Sequence, residues 1–132
     1  MAEFGPQEII PGLSAAADLS AYQYRVVRLS AAKAVNVASN NLGTSAVGLA
    51  AGILQNKPSA AGRAASVAVS GLSKAVAGAT VTVNALVTHD GSGYVIDAVS
   101  GSTVIGRALE AAAAQETFSV MLQPPVKWGS VA

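Results

Sequence analysis

The residues that come nearest to a catalytic arrangement stand together at His89-Asp90-Gly91-Ser92-Gly93. His89 is the only histidine, and the chain has no cysteine. One histidine beside one aspartate supplies too few ligands for a zinc site, and the HExxH and CxxC patterns do not occur. Ser92 and its flanking glycines match neither the GxSxG pattern of serine hydrolases nor the GxxxxGK[ST] phosphate loop. We expect His89 to be a solvated residue of a hairpin turn.

Acid–base catalysis by two carboxylates needs side chains held at a defined separation in a cleft. Glu110 and Glu116 flank a short segment rich in alanine, and we interpret them as surface charges. The sequence therefore predicts no catalytic residues, no metal site and no cofactor.

Arg107 is the one charged residue inside an otherwise apolar run. On a strand it would share a face with Ile105 and Leu109, where an unpaired charge is costly. Either that face lies at a sheet edge or an interface, or Arg107 reaches an acid such as Asp97 or Glu110. We favour a structural or intersubunit salt bridge over a ligand site.

Short β-strands are the elements that must position these residues. Asp90-Gly91 between β-branched runs is a strong hairpin signal, because glycine reaches the positive φ of a tight turn. The predicted strands recur about every 8 to 12 residues, which is typical of a sandwich or small barrel. They cover 22–29, 34–38, 46–54, 63–69, 72–76, 80–88, 93–98, 103–109 and 117–122. Segment 110–116 has helix propensity but is short, so it is one helical turn or a loop.

Both ends of the chain differ from this pattern, so we divide it into an arm (1–20), a β-domain (21–122) and a tail (123–132). The arm contains Pro6 and Pro11, which exclude a regular helix, and it carries four large apolar residues: Phe4, Ile9, Ile10 and Leu13. The tail leaves the predicted sheet at Pro124-Pro125 and ends near Trp128. A mobile terminus is the alternative for the arm, and a tail folded back onto its own domain is the alternative for the tail.

Composition favours a protein that functions inside an assembly. The chain of 132 residues is 52% hydrophobic but only 11% charged, against about 25% charged in typical domains. A net charge of +1 gives little self-repulsion. The eight cations are scattered, so no basic stripe for nucleic acid is present. We also find no apolar run suited to a membrane span and no signal peptide.

The most specific motif is Ile105-Gly106-Arg107-Ala108-Leu109-Glu110-Ala111-Ala112, followed by a polar gap and a closing V-x-L strand. Supporting features are V-x-x-x-G at 67–71 and Gly93-Tyr94, with further matches at 47–48, 53–54, 58 and 62. The region from about 47 to 122 thereby resembles the capsid cement (decoration) proteins of tailed bacteriophages.

That resemblance implies an all-β fold, a small antiparallel sandwich or barrel of β-tulip-like form. The extended arm and tail are departures from the family pattern or extensions of it. It implies a structural virion protein, often a homotrimer, that binds the major capsid protein on the capsid exterior, with no direct nucleic-acid or membrane contact. Assembly would take place in the cytoplasm of the host bacterium. We expect the contact residues to be Phe4, Ile9, Ile10, Leu13, Arg107, Val126 and Trp128.

The alternative function is a tail-fibre or adhesin-like module that binds a host glycan. Its expected signature is a set of exposed aromatic side chains. The chain has only six aromatic residues: Phe4, Tyr22, Tyr24, Tyr94, Phe118 and Trp128.

Overall fold

The computed structural model describes residues 5–38, 50–99 and 103–127, the last four by their backbone alone. These ranges hold ten strands: β1 (Gln7–Ile9), β2 (Ser14–Ala15), β3 (Val26–Ala31), β4 (Ala34–Val37), β5 (Ala50–Leu54), β6 (Val67–Val76), β7 (Leu86–His89), β8 (Val95–Asp97), β9 (Thr103–Ala108) and β10 (Thr117–Lys127). The all-β prediction is confirmed. Segment 110–116 is a loop with one turn. Among the described residues, no helix is long and apolar enough to cross a membrane.

The strands form one sheet in the order β2-β4-β3-β5-β6-β10-β9-β7-β8, with β1 paired to β6 off this path. The ladders are antiparallel, except that β2 pairs with β4 in parallel. The sequence left open a sandwich or a closed barrel. The structure instead has a single mixed sheet that is not closed into a barrel.

The sheet nevertheless curls, because the turn between β7 and β8 rests on the start of β3. The Val26 amide donates a hydrogen bond of 2.8 Å to the Gly93 carbonyl, although the two strands are far apart in the strand order. Gly93 has a φ of 81°, and a Cβ there would lie 2.7 Å from the Val26 carbonyl oxygen. A residue with a side chain would therefore hold the turn away from β3.

The curled sheet encloses a core of mostly small apolar side chains. Its largest fully buried member is Phe118, which lies on β10 with Val120 and Leu122. These three alternate along the strand with Thr117 and Met121, which are exposed. A second cluster packs β3, β4 and β6 against the N-terminal segment through Leu13, Ala15, Leu19, Val27, Val35, Leu54, Ala65 and Val67.

The N-terminal segment is part of this sheet, where the sequence led us to expect an arm. β1 pairs with residues 68 to 71 of β6, and β2 pairs with β4. Gly71, which falls between the predicted strands 63–69 and 72–76, lies within β6 at a φ of 102°. A Cβ at Gly71 would collide with the Pro6 carbonyl oxygen, so the glycine makes room for the N-terminal segment.

The C-terminal strand also continues further than predicted. We expected the chain to leave the sheet at Pro124, but β10 runs on to Lys127. Its pairing with β9 shifts register between Leu122 and Val126. The two prolines lie within that irregularity, where their missing N–H groups do not interrupt a regular ladder.

Gly71→Ala tests how the N-terminal segment is held, with Gly62→Ala as the matched control. Gly62 has a φ of 89° and open space around its Cα, so its substitution adds only the left-handed strain of about 1–2 kcal/mol. Gly71→Ala adds the collision with Pro6. We expect faster hydrogen exchange at the amides of Gly5 and Ile10, which bond to Leu72 and Val67, only in Gly71→Ala. Equal exchange in both variants would contradict this account of Gly71.

Candidate interaction surface

The predicted contact residues are not all placed by the structure. Phe4 and Trp128 lie outside the described residues. Val126 lies on β10 opposite Val104, and only its backbone is described.

The apolar residues of the N-terminal segment divide into buried and exposed ones. Leu13 is 7% exposed and belongs to the second cluster, and Ile10 packs against the same cluster. Their apolar surface is thus covered largely by their own chain, which sequence reasoning did not anticipate. Ile9 is 40% exposed on β1, so it has surface left for a partner.

Arg107 lies on the side of the sheet that faces away from the core. It is exposed, and it stands opposite Leu86 of β7 and Met121 of β10. Met121 in turn stands opposite Leu72 of β6. We call these four residues, Leu72, Leu86, Arg107 and Met121, the outer row. The outer row therefore sets one cation among three aliphatic or thioether side chains.

The prediction of an intrachain salt bridge from Arg107 to Asp97 or Glu110 is wrong. Its Nη1 donates to Asn84 Oδ1 at 3.3 Å. Asp97 instead accepts from the backbone amide and hydroxyl of Thr82, and Glu110 accepts from the Ser119 amide. An intersubunit salt bridge stays a prediction.

His89 is buried, which corrects our expectation of a solvated turn residue. It is the last residue of β7 and has no exposed surface, because the turn begins one residue later. Burial lowers the pKa of His89 below its ordinary 6.5, and the contact with the Asp90 carbonyl oxygen, 3.0 Å from Nδ1, partly opposes this. In the described part of the chain, no three residues among His, Asp and Glu lie close enough to hold a metal ion.

The remaining candidates for chemistry have structural roles. Asp90 Oδ1 accepts from the amides of Ser92 and Tyr94, at 2.9 and 3.0 Å, and so closes the turn after β7. Glu116 Oε1 accepts from the Ala113 amide at 2.8 Å within its loop. Glu110 holds the start of β10 through Ser119.

A cluster of tyrosines around Arg25 is a feature that the sequence reasoning missed. The guanidinium carbon of Arg25 lies 3.9 Å from the ring centroid of Tyr94 and 4.8 Å from that of Tyr22. Its Nη2 also donates to the Tyr94 hydroxyl at 2.6 Å. Because Tyr94 follows the β7–β8 turn, this cluster joins the turn to β3, beside the Val26–Gly93 hydrogen bond. The only sequence signal was the spacing Tyr22-Gln23-Tyr24-Arg25.

Comparison with known proteins identifies a family and a similar solved structure. A family model described as phage cement protein matches residues 21–123. The chain is also similar in structure to the N base of the head fiber gp8.5 of bacteriophage phi29. That match has a TM-score of 0.63 at 16% identity and covers 83% of this chain and 89% of the other. A search of curated protein sequences finds no match.

Arg25→Ala should destabilise the fold by about 2 kcal/mol, since it removes two cation–π contacts and two hydrogen bonds, to Ser92 and Tyr94. Tyr94→Phe keeps the ring and should cost only about 1 kcal/mol. Arg63→Ala removes an exposed arginine elsewhere and should stay within about 0.5 kcal/mol of the parent. Urea unfolding measures all three. A loss for Arg25→Ala no greater than for Arg63→Ala would show that the cluster does not join the sheet.

Burial of His89 should make stability fall with falling pH. Its folded-state pKa is lowered, so below about pH 6.5 the unfolded chain binds a proton that the folded chain does not. The free energy of unfolding should therefore decrease between pH 7 and pH 5, by up to about 1.4 kcal/mol per pH unit. In His89→Gln most of this slope should disappear. An unchanged slope in the variant would assign it to other groups.

Proposed function

The chain belongs to the phage cement protein family, and we propose that it binds the capsid exterior as a homotrimer and links neighbouring copies of the major capsid protein. Its role is structural: it stabilises a phage capsid, and its place is the virion. The observation that carries this is the family match, which spans residues 21–123 and so includes β3 to β9 and most of β10.

The position of the chain ends supports contacts made by both termini. Gln7 of β1 and Leu122 of β10 both pair with Gly71, on opposite edges of β6. The residues beyond each end therefore connect to the domain at one central strand. If the two ends hold different shell subunits, a force that separates those subunits acts across β6 and its two ladders. Modest contacts then add through their high effective concentration.

We infer that the terminal contacts involve Phe4 and Ile9 at one end and Val126 and Trp128 at the other. Ile9 supports this because it is large, apolar and 40% exposed. Leu13 and Ile10 contribute indirectly, since they fix the N-terminal segment to the second cluster. The proposed contacts thus lie in β1 and β10 and beyond their outer ends.

A structural role also fits the chemistry of the described residues better than catalysis or glycan binding does. The acids considered for catalysis accept hydrogen bonds within turns and strand starts. Tyr22 and Tyr94 stack on Arg25, and Tyr24 lies 5.5 Å from Lys74 Nζ. These contacts cover one face of each ring and so leave less aromatic surface on which a sugar could stack. We further propose assembly in the host cytoplasm, in keeping with a chain without cysteine.

Binding to expanded heads that lack this protein tests the proposed function. We expect saturable co-sedimentation at a fixed ratio to the major capsid protein, and heads that withstand higher temperatures after decoration. Heads that already carry the protein should take up none. Sedimentation equilibrium of the free protein tests the trimer. Failure of the full-length folded protein to bind bare heads would overturn the proposal.

Trp128→Ala and Phe4→Ala test the terminal contacts. Each should weaken binding by about tenfold, as expected for loss of a large apolar contact, without changing the urea midpoint. Leu29→Ala is the matched control, because Leu29 is a 51% exposed leucine on β3, which is separated from β10 by two strands. Equal effects of all three variants would contradict specific contacts by the termini.

A further inference from the structure

The outer row and its neighbours in sequence lie on opposite sides of the sheet. The residues next to it in sequence, Val87, Ala108, Val120 and Leu122, belong to the core. Because side chains alternate along a strand, Leu86, Arg107 and Met121 face the side opposite to those four residues, a side on which Thr88, Ile105 and Ser119 are buried while Arg107 and Met121 are exposed. Directly opposite residues on one face have Cβ atoms about 4.5–5.5 Å apart, so the side chains of the outer row are neighbours.

Further apolar surface surrounds Arg107. Met121 is 45% exposed, and Leu109, two residues beyond Arg107 on the same chain, is also 45% exposed. Val83 is 55% exposed and precedes Asn84, the residue whose side chain accepts from Arg107. Arg107 is thus a cation inside a patch of exposed aliphatic side chains.

Arg107 retains capacity for a carboxylate. Its hydrogen bond within the described residues, 3.3 Å to Asn84, engages one nitrogen of a planar group with five donors. That bond orients the guanidinium without neutralising it, because Asn84 is uncharged. A carboxylate from another molecule could pair with the remaining donors in a bidentate fashion.

We propose that the outer row is a docking surface for the capsid. Arg107 binds a carboxylate of a capsid subunit, and apolar surface surrounds this ion pair. The proposal rests on the capsid-binding function above and names the surface and the chemistry of its partner. Burial of the aliphatic side chains would exclude water from the ion pair, which strengthens it relative to an exposed pair. Arginine within an apolar interface is a common centre of binding energy.

The acids of this chain argue against a second copy as the partner. Every acid in the described ranges already accepts a hydrogen bond from its own chain. The pairs are Glu8 with Ser70, Asp18 with Ser20, Asp90 with Tyr94, Asp97 with Thr82, Glu110 with Ser119 and Glu116 with Ala113. These bonds orient each carboxylate toward its own chain, so a bidentate pair with Arg107 of a second copy would compete with them, whereas a capsid carboxylate carries no such constraint from this chain.

The test compares Arg107→Glu with Arg63→Glu in the full-length protein. Both variants reverse one exposed arginine, so their net charges are equal, but Arg63 lies in the loop before β6. We expect co-sedimentation with bare heads to weaken by about tenfold or more for Arg107→Glu and by less than about twofold for Arg63→Glu. Arg107→Lys, which keeps the charge without the planar fork, should fall between them. Far-ultraviolet circular dichroism and urea midpoints check that all variants fold.

The outcomes separate this proposal from the proposed function. If the parent protein binds heads and both glutamate variants bind equally, the outer row is not the docking surface, while the cement function stands. If Arg107→Glu changes the oligomeric state but binds heads as the parent does, the row joins copies of this chain and the proposal is overturned. If the parent itself fails to bind heads, the proposed function is overturned. The proposal that Arg107 binds a capsid carboxylate is then overturned as well.

Discussion

The contact of the β7–β8 turn with β3 is the constraint on which the rest of the structure depends. A sheet with two free ends would leave its apolar face in water, and this chain has few large side chains with which to cover it. The Val26–Gly93 hydrogen bond and the stack of Arg25 on Tyr94 hold the two parts of the sheet together. The alanines, valines and single phenylalanine of the larger cluster then suffice to fill the interior. Curling thus replaces the second sheet of a sandwich.

The same curling decides where the protein can interact. Its concave side is filled, so the exposed part of the opposite side, around Arg107 and Met121, is the surface left for partners. That side combines exposed aliphatic residues with Arg107. Because few other charges surround Arg107, a partner can cover the aliphatic side chains without burying further charged groups. β1 and residues 117–122 of β10 flank β6, so both terminal strands are joined to the same central strand. A cement protein needs this combination, since it must hold shell subunits while its own fold resists the load.

Much of the fold could be predicted from periodicity, and the errors have physical causes. The Asp90-Gly91 turn, the strand at residues 34–38 and the alternation of Phe118, Val120 and Leu122 were evident from local chemistry. The N-terminal strands were missed because their partners, β6 and β4, are distant in sequence. Local propensity also stops a strand at a proline pair, whereas a register shift in the ladder with β9 lets β10 pass Pro124 and Pro125.

The candidate site shows the same division. The sequence identified Arg107 as anomalous within an apolar run. It could not show that Asp97 accepts a hydrogen bond from Thr82 and Glu110 one from Ser119. His89 was placed in a turn because Asp90-Gly91 follows it. The strand ends one residue later than predicted, at His89, and the side chain is therefore buried. The cluster at Arg25 joins residues about seventy positions apart, which no local pattern reveals.

Electron cryomicroscopy of bare heads mixed with the full-length protein tests the central claim most directly. The account predicts ordered density for the curled sheet on the outer surface of the shell, with the outer row turned toward a capsid subunit. Bare shells at saturating protein concentration would contradict it.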